Sequence, residues 1–186
     1  MDLQQASNHA VDCQPISWEQ RFIDGVIQRC QKDNGLAARL RRADNPATEY
    51  QCWDLLAAYG VDLEQESLRL ACATVVAALA KANIDHRGSL CLGRAIAECY
   101  EDGRESQQAK ARLRRLLACA DVPETCRILR PLFSLIESKV SRPLDFARIL
   151  RQLKRFKFDT EKIKAEWAQE FYSQASKEDR QEDPST

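Results

Sequence analysis

Two histidines, His9 and His86, are all that the 186-residue chain contains, and this scarcity removes most routes to acid–base or metal chemistry. No H-x-x-x-H or C-x-x-C spacing occurs, so no zinc centre can be drawn from the sequence. A Cys–His nucleophile could be assembled only from Cys91 and His86, and no GxxxxGK[ST] or GxGxxG loop is present to cradle a nucleotide phosphate. The carboxylate pairs Glu64/Glu66 and Glu101/Asp102 point apart or fall in a turn, which makes them surface charge. Neither catalysis nor a cofactor or metal is expected. With six glycines, six prolines and few β-branched runs, the chain has little material for sheet. No stretch approaches the roughly 18 apolar residues of a membrane span. The polar start, MDLQQASNHAVDC, lacks the basic-then-apolar order of a secretory signal. A cytoplasmic protein without membrane contact is expected.

What is abundant is helix-forming sequence, and the reading is an all-α chain. Trp18, Phe22, Val26, Ile27 and Cys30 follow i, i+4 and i+3 steps and mark a first helix ending near Gly35. A basic helix, Leu36 to Arg42, precedes a break at Asp44-Asn45-Pro46. Tyr50, Trp53, Leu56 and Ala57 line the next helix, which stops at Gly60. Leu63 to Ala82 reads as a long, nearly buried helix and Leu90 to Tyr100 as a short one. Beyond Glu101-Asp102-Gly103 come four amphipathic segments, Ser106 to Ala120, Glu124 to Lys139, Pro143 to Phe156 and Thr160 to Ser176. Short links between them imply an antiparallel four-helix bundle. Two small bundles are therefore expected, 18–102 and 103–176, between a flexible start at 1–17 and a disordered acidic tail at 177–186. Pro131 should kink its helix or start a new one. The eight cysteines lie largely on apolar stripes and read as buried free thiols.

Charge is unevenly spread in a formally neutral chain. Between Arg104 and Lys157 stand 14 basic residues against five acidic ones, Glu105, Asp121, Glu124, Glu137 and Asp145. Ten of the 14 are arginine, whose guanidinium fork suits phosphate oxygens. At 100° per residue Arg112 and Arg115 share one flank. Arg148, Arg151 and Arg155 share another, and Arg127, Arg130 and Ser134 a third. Any one of these arginines could simply be solvated. As a set they lack the interleaved carboxylates of an ordinary solvated helix, and so point to a polyanion.

Four stretches, taken in order, are Leu36-Ala-Ala-Arg-Leu-Arg-Arg-Ala-Asp44, Ser89-Leu-Cys-Leu-Gly-Arg-Ala-Ile-Ala97, Arg112-Leu-Arg-Arg-Leu-Leu-Ala118 and Pro143-Leu-Asp-Phe-Ala-Arg-Ile-Leu150. This series resembles the CasB family, the small subunit of the type I-E CRISPR surveillance complex Cascade, over roughly Trp18 to Phe171. The most specific element is L-G-R-A-[LI]-A at Leu92 to Ala97. The resemblance implies two helical bundles without catalytic activity. It also implies a place beside the backbone and large subunits together with a second copy of the chain. Backbone contacts to guide RNA and target DNA would stabilise the R-loop and its displaced strand. Arg39, Arg42, Arg94, Arg112, Arg115 and Arg130 match the positions implied for that surface, with Arg151, Lys154 and Arg155 next.

Two other readings share the fold. One is a helical adaptor whose basic face binds an acidic protein, and the other is a small RNA-binding protein outside CRISPR defence.

Overall fold

The computed structural model describes residues 15–173. Among them are eight α-helices, two short 3-10 turns and no strand; the β pairing is confined to an isolated bridge between Leu90 and Leu144. The all-helical expectation holds. Side-chain caps set several helix starts. Ser17 and Gln20 form a capping box on α1 (Trp18–Lys32), and Asp33 accepts from Leu36 N at 2.9 Å to open α2 (Asn34–Arg42). A 3-10 turn, Glu49–Cys52, leads into α3 (Trp53–Ala58). Asp62 accepts from Glu64 N at 3.0 Å, a local turn that delays α4 (Glu66–Ala82) beyond the Leu63 expected for it. Residues 71–80 of α4 are buried without a break, and the helix packs against α2, α7 and α8. It is the central rod of the molecule.

After α5 (Leu92–Glu98) the chain turns at Gly103, whose φ of 53° favours glycine, and enters α6 (Gln107–Leu117) under the Ser106 cap. In α7 (Val122–Lys139) the Asp121 carboxylate accepts from Glu124 N at 2.8 Å. Pro131 lies within α7, which runs on through it, so the fresh start offered as one alternative by the sequence does not occur. The proline ring sits on an exposed face, where the lost N–H costs a bond without a core rearrangement.

The last element, α8 (Phe146–Tyr172), contains one non-helical residue, Asp159 (φ −123°, ψ 31°). In a straight helix Gln152 and Trp167 would stand about 22 Å apart. Here Trp167 Nε1 donates to Gln152 Oε1 at 2.9 Å, and Phe156 stacks on Trp167 with ring centroids 5.8 Å apart. The chain therefore doubles back at Asp159 into two arms, 146–158 and 160–172, where the sequence reading placed its break.

The division into two bundles is not confirmed. One cluster of buried side chains runs from Phe22 through Leu79 and Leu113 to Phe171. The main packing partner of α7 is α4, and that of α8 is α5, so both lie across the expected boundary.

Cys52, Cys72, Cys99, Cys119 and Cys126 are buried free thiols, and Cys30 and Cys91 are half-buried ones. Burial pushes Cys52 and Cys72 up to about 12 and Cys99 and Cys126 to about 11, which keeps all four protonated at neutral pH. Cys13, most of the start expected to be flexible and the acidic tail lie outside the described residues. No helix among the described residues is long and apolar enough to cross a membrane.

Candidate nucleic-acid interface

The apolar stripe of α6, with Ala109, Leu113 and Leu116 buried, turns the intervening arginines outward. Arg114 and Arg115 are exposed and Arg112 is half-buried. Among the described residues none of the three has a carboxylate within 4.0 Å. Arg112 and Arg115 line a pocket of about 200 Å³ with Tyr100, Gln108 and Ala111. This neighbourhood keeps its positive charge uncompensated, which leaves the guanidinium donors available to phosphate oxygens.

The other expected residues are placed differently. Arg39 pairs with Asp54 at 3.0 Å at the surface, while Arg42 is exposed and has no carboxylate within 4.0 Å among the described residues. Burial opposes ionisation of Asp54, but the Leu55 backbone N–H and Arg39 outweigh it and hold the carboxyl below its usual value. Arg94 lies 3.2 Å from Glu98, whose carboxylate also takes Arg142 at 2.6 Å. Arg130 is drawn inward instead of flanking exposed Arg127 and Ser134. Its side chain is only 13% exposed and lies 3.8 Å from Asp44, which in turn pairs with Lys81. Arg130 Nε and Nη2 are buried without a hydrogen-bond partner at the side of a cavity of about 350 Å³.

On α8 the strip expected to lack carboxylates finds them one turn on, on the second arm and on α1. Arg148 meets Glu170 at 2.6 Å, Lys154 meets Glu19 at 2.6 Å and Arg155 meets Asp159 at 2.5 Å. Among the described residues Arg151 keeps only a long contact, 3.5 Å to the Ser17 hydroxyl. Lys154 also lies 4.2 Å over the Trp18 ring, which pins α8 to α1. Burial works against the Glu19 carboxylate, yet the hydrogen bond and charge of Lys154 and the local backbone hold it below its ordinary value. At Glu170 burial prevails over the Gly93 N–H and Arg148 and pushes the carboxyl up. The expected residues thus fall into separate neighbourhoods: Arg112 with Arg115, Arg151 with Arg155 along a polar groove, and Arg130 in its own cavity.

Sequence reasoning lined the helix before Gly60 with Tyr50, Trp53, Leu56 and Ala57, and of these Leu56 is buried. The structure buries Cys52, Leu55 and Leu56 and exposes Tyr50, Trp53 and Ala57. A 3-10 turn at Glu49–Cys52 changes the phase that a 3.6-residue period assumes. Glu49 is buried beneath this turn and satisfied by Arg69 at 2.9 Å, a pair with no signal at a spacing of twenty residues.

The family model for the CRISPR-associated protein Cse2 matches residues 36–172, from α2 to the end of α8. The chain belongs to the CRISPR-associated Cse2 family. Among solved structures of Cse2-type proteins, a CRISPR-associated Cse2-family protein from Thermus thermophilus is 29% identical, with a TM-score of 0.64. That match covers 83% of this chain and 97% of the other. A structure of CasB from Thermus thermophilus is 27% identical at a TM-score of 0.63, with the same coverage of each chain. CasB from M. ruber shares the fold at 24% identity and a TM-score of 0.65, over 84% of this chain and 93% of that one. A comparison with curated proteins finds no match. Membership of the Cse2 family makes this chain a component of a CRISPR complex.

Proposed function

We propose that this Cse2-family chain is a non-catalytic small subunit of a type I-E Cascade complex that grips nucleic-acid backbone and so stabilises the R-loop and its displaced strand. The observation that carries the proposal is the α6 surface, where Arg112, Arg114 and Arg115 have no carboxylate within 4.0 Å among the described residues. Like charges left uncompensated on one turn are stabilised by a polyanion. Exchange of a DNA duplex for an RNA–DNA hybrid is nearly balanced in energy, so a few backbone contacts tip it without any reading of bases. Arg42, Arg112, Arg115 and Arg151 are the primary contacts in this reading. Arg39, Arg94, Arg130, Lys154 and Arg155 are secondary, because each must share its charge with a carboxylate. The partners that follow are the guide RNA, the target DNA, the backbone and large subunits and a second copy of the chain.

The test reverses charge at Arg112 and Arg115 together in the assembled complex. Each phosphate contact to a single strand contributes a slope of roughly −0.7 to log K against log salt. The double variant is expected to assemble, to form weaker R-loops on matched targets of any sequence, and to lose about one unit or more of salt slope. R-loops as stable and as salt-sensitive as those of the unaltered complex would mean that α6 is merely solvated.

A further inference from the structure

Two aromatic side chains stand in solvent beside the end of α2. Tyr50 is 59% exposed and Trp53 is 38% exposed. They are three residues apart across the 3-10 turn, where side chains at i and i+3 eclipse, so both rings leave the same edge. The indole is held in place. Its Nε1 donates to Glu49 Oε1 at 3.4 Å, and the Arg69 guanidinium lies 5.4 Å from the ring centroid. A ring that is already positioned loses little freedom when something stacks on it.

The charges around the rings select the ligand. Glu49 is matched by Arg69 and Asp54 by Arg39. Thr48 Oγ1 donates to the Arg42 carbonyl oxygen at 2.5 Å, which ties the end of α2 to the turn that carries Tyr50. Arg42, at the end of α2 tied to this turn, is exposed and has no carboxylate within 4.0 Å among the described residues. That pairing of π-faces with positive charge is what single-stranded nucleic acid requires, since every base offers a face to stack and every linkage a negative charge.

Resting on the R-loop reading above, we propose that Tyr50 and Trp53 form a stacking platform for the bases of single-stranded DNA, with Arg42 on a flanking phosphate. In an R-loop the guide pairs with one DNA strand, so the displaced strand supplies the unpaired bases. The platform is sequence-tolerant and distinct from the α6 arginines. It adds a contact that salt does not screen.

The experiment titrates the full chain with oligothymidylate and follows tryptophan fluorescence, with oligouridylate and a duplex of equal length as further arms. Trp167 is fully buried and Trp18 lies half-buried beneath Lys154, so stacking is read at Trp53. The expected result is quenching by oligothymidylate, with weaker effects of the other two. Trp53→Leu should lower affinity roughly five- to 150-fold at an unchanged salt slope, and Trp53→Phe should retain most of the affinity. Tyr50→Leu keeps Trp53 as reporter and should weaken binding in the same sense, even if Trp53→Leu fails to fold. Salt-dependent binding without quenching, equal in all three variants, would overturn the platform and leave the backbone reading intact. No binding by the unaltered chain to either homopolymer would overturn the platform, while the charge reversal of Arg112 and Arg115 in the assembled complex decides the backbone reading. Equal quenching by oligouridylate would overturn the assignment to DNA. Variants that bind DNA normally but no longer co-purify with the complex would show the patch to be a protein contact, which also overturns the proposal.

Discussion

Gly93 has no room for a side chain. A Cβ there would overlap the Trp167 carbonyl oxygen and stand 2.7 Å from both Glu170 Cβ and Phe171 N. Its N–H donates to Glu170 Oε2 at 3.0 Å, and the same buried carboxylate takes Arg148, so one residue of the L-G-R-A-I-A stretch seats the second arm of α8 on α5. Here close approach of backbones, not a turn, requires the glycine. Gly93→Ala is expected to destabilise the fold by about 1–3 kcal/mol through overpacking. In a denaturant titration the midpoint should fall with the slope unchanged. A midpoint equal to that of the parent chain would mean that α8 is not seated there.

Among the elements, α7 tolerates a defect. Pro131 lies inside an unbroken helix and its ring is exposed, so the helix bears a missing hydrogen bond with little packing in return. Burial of its neighbours keeps the helix continuous: Leu129, Leu132, Phe133 and Ile136 all enter the core. Pro131→Ala restores an N–H aimed at the Arg127 carbonyl. It is expected to stabilise the protein by about 1–3 kcal/mol, seen as a raised melting temperature. A lowered one would show that the ring packs or that the unfolded chain gains more from losing proline. By contrast α8 needs its irregularity. The bend at Asp159 brings Gln152 to Trp167, and Arg155 holds the bend at 2.5 Å through the Asp159 carboxylate.

For the whole molecule the consequence is cooperative unfolding. The buried cluster is continuous across the turn at Gly103, and α4, which lies before that turn, packs on both α7 and α8, which lie after it. Neither half could expose its contacts without disrupting the other. Denaturant unfolding is therefore expected to show one transition, coincident by far-ultraviolet circular dichroism and tryptophan fluorescence. Two separated transitions would restore the two independent bundles that the linker composition implies.

What the sequence by itself determined is local. Helices form where apolar residues recur at 3.6-residue spacing, and they begin at Ser17, Asp33, Ser106, Asp121 and Asp145, whose side chains accept the first free backbone N–H groups. The resemblance to the CasB family rested on short stretches whose order is also written along the chain, and the Cse2 match bears it out. Only the tertiary structure decided which arginines are free. Lys154 meets Glu19 across 135 positions and Gly93 meets Glu170 across 77, distances over which no periodicity reports a partner. On α6 the arginines of the sequence remain open because no other described element brings a carboxylate to them, while on α8 folding supplies Glu19 to Lys154 and Glu170 to Arg148. The exposed rings of Tyr50 and Trp53 were hidden for a related reason: one short 3-10 turn shifts the helical phase, and phase decides which face meets the core.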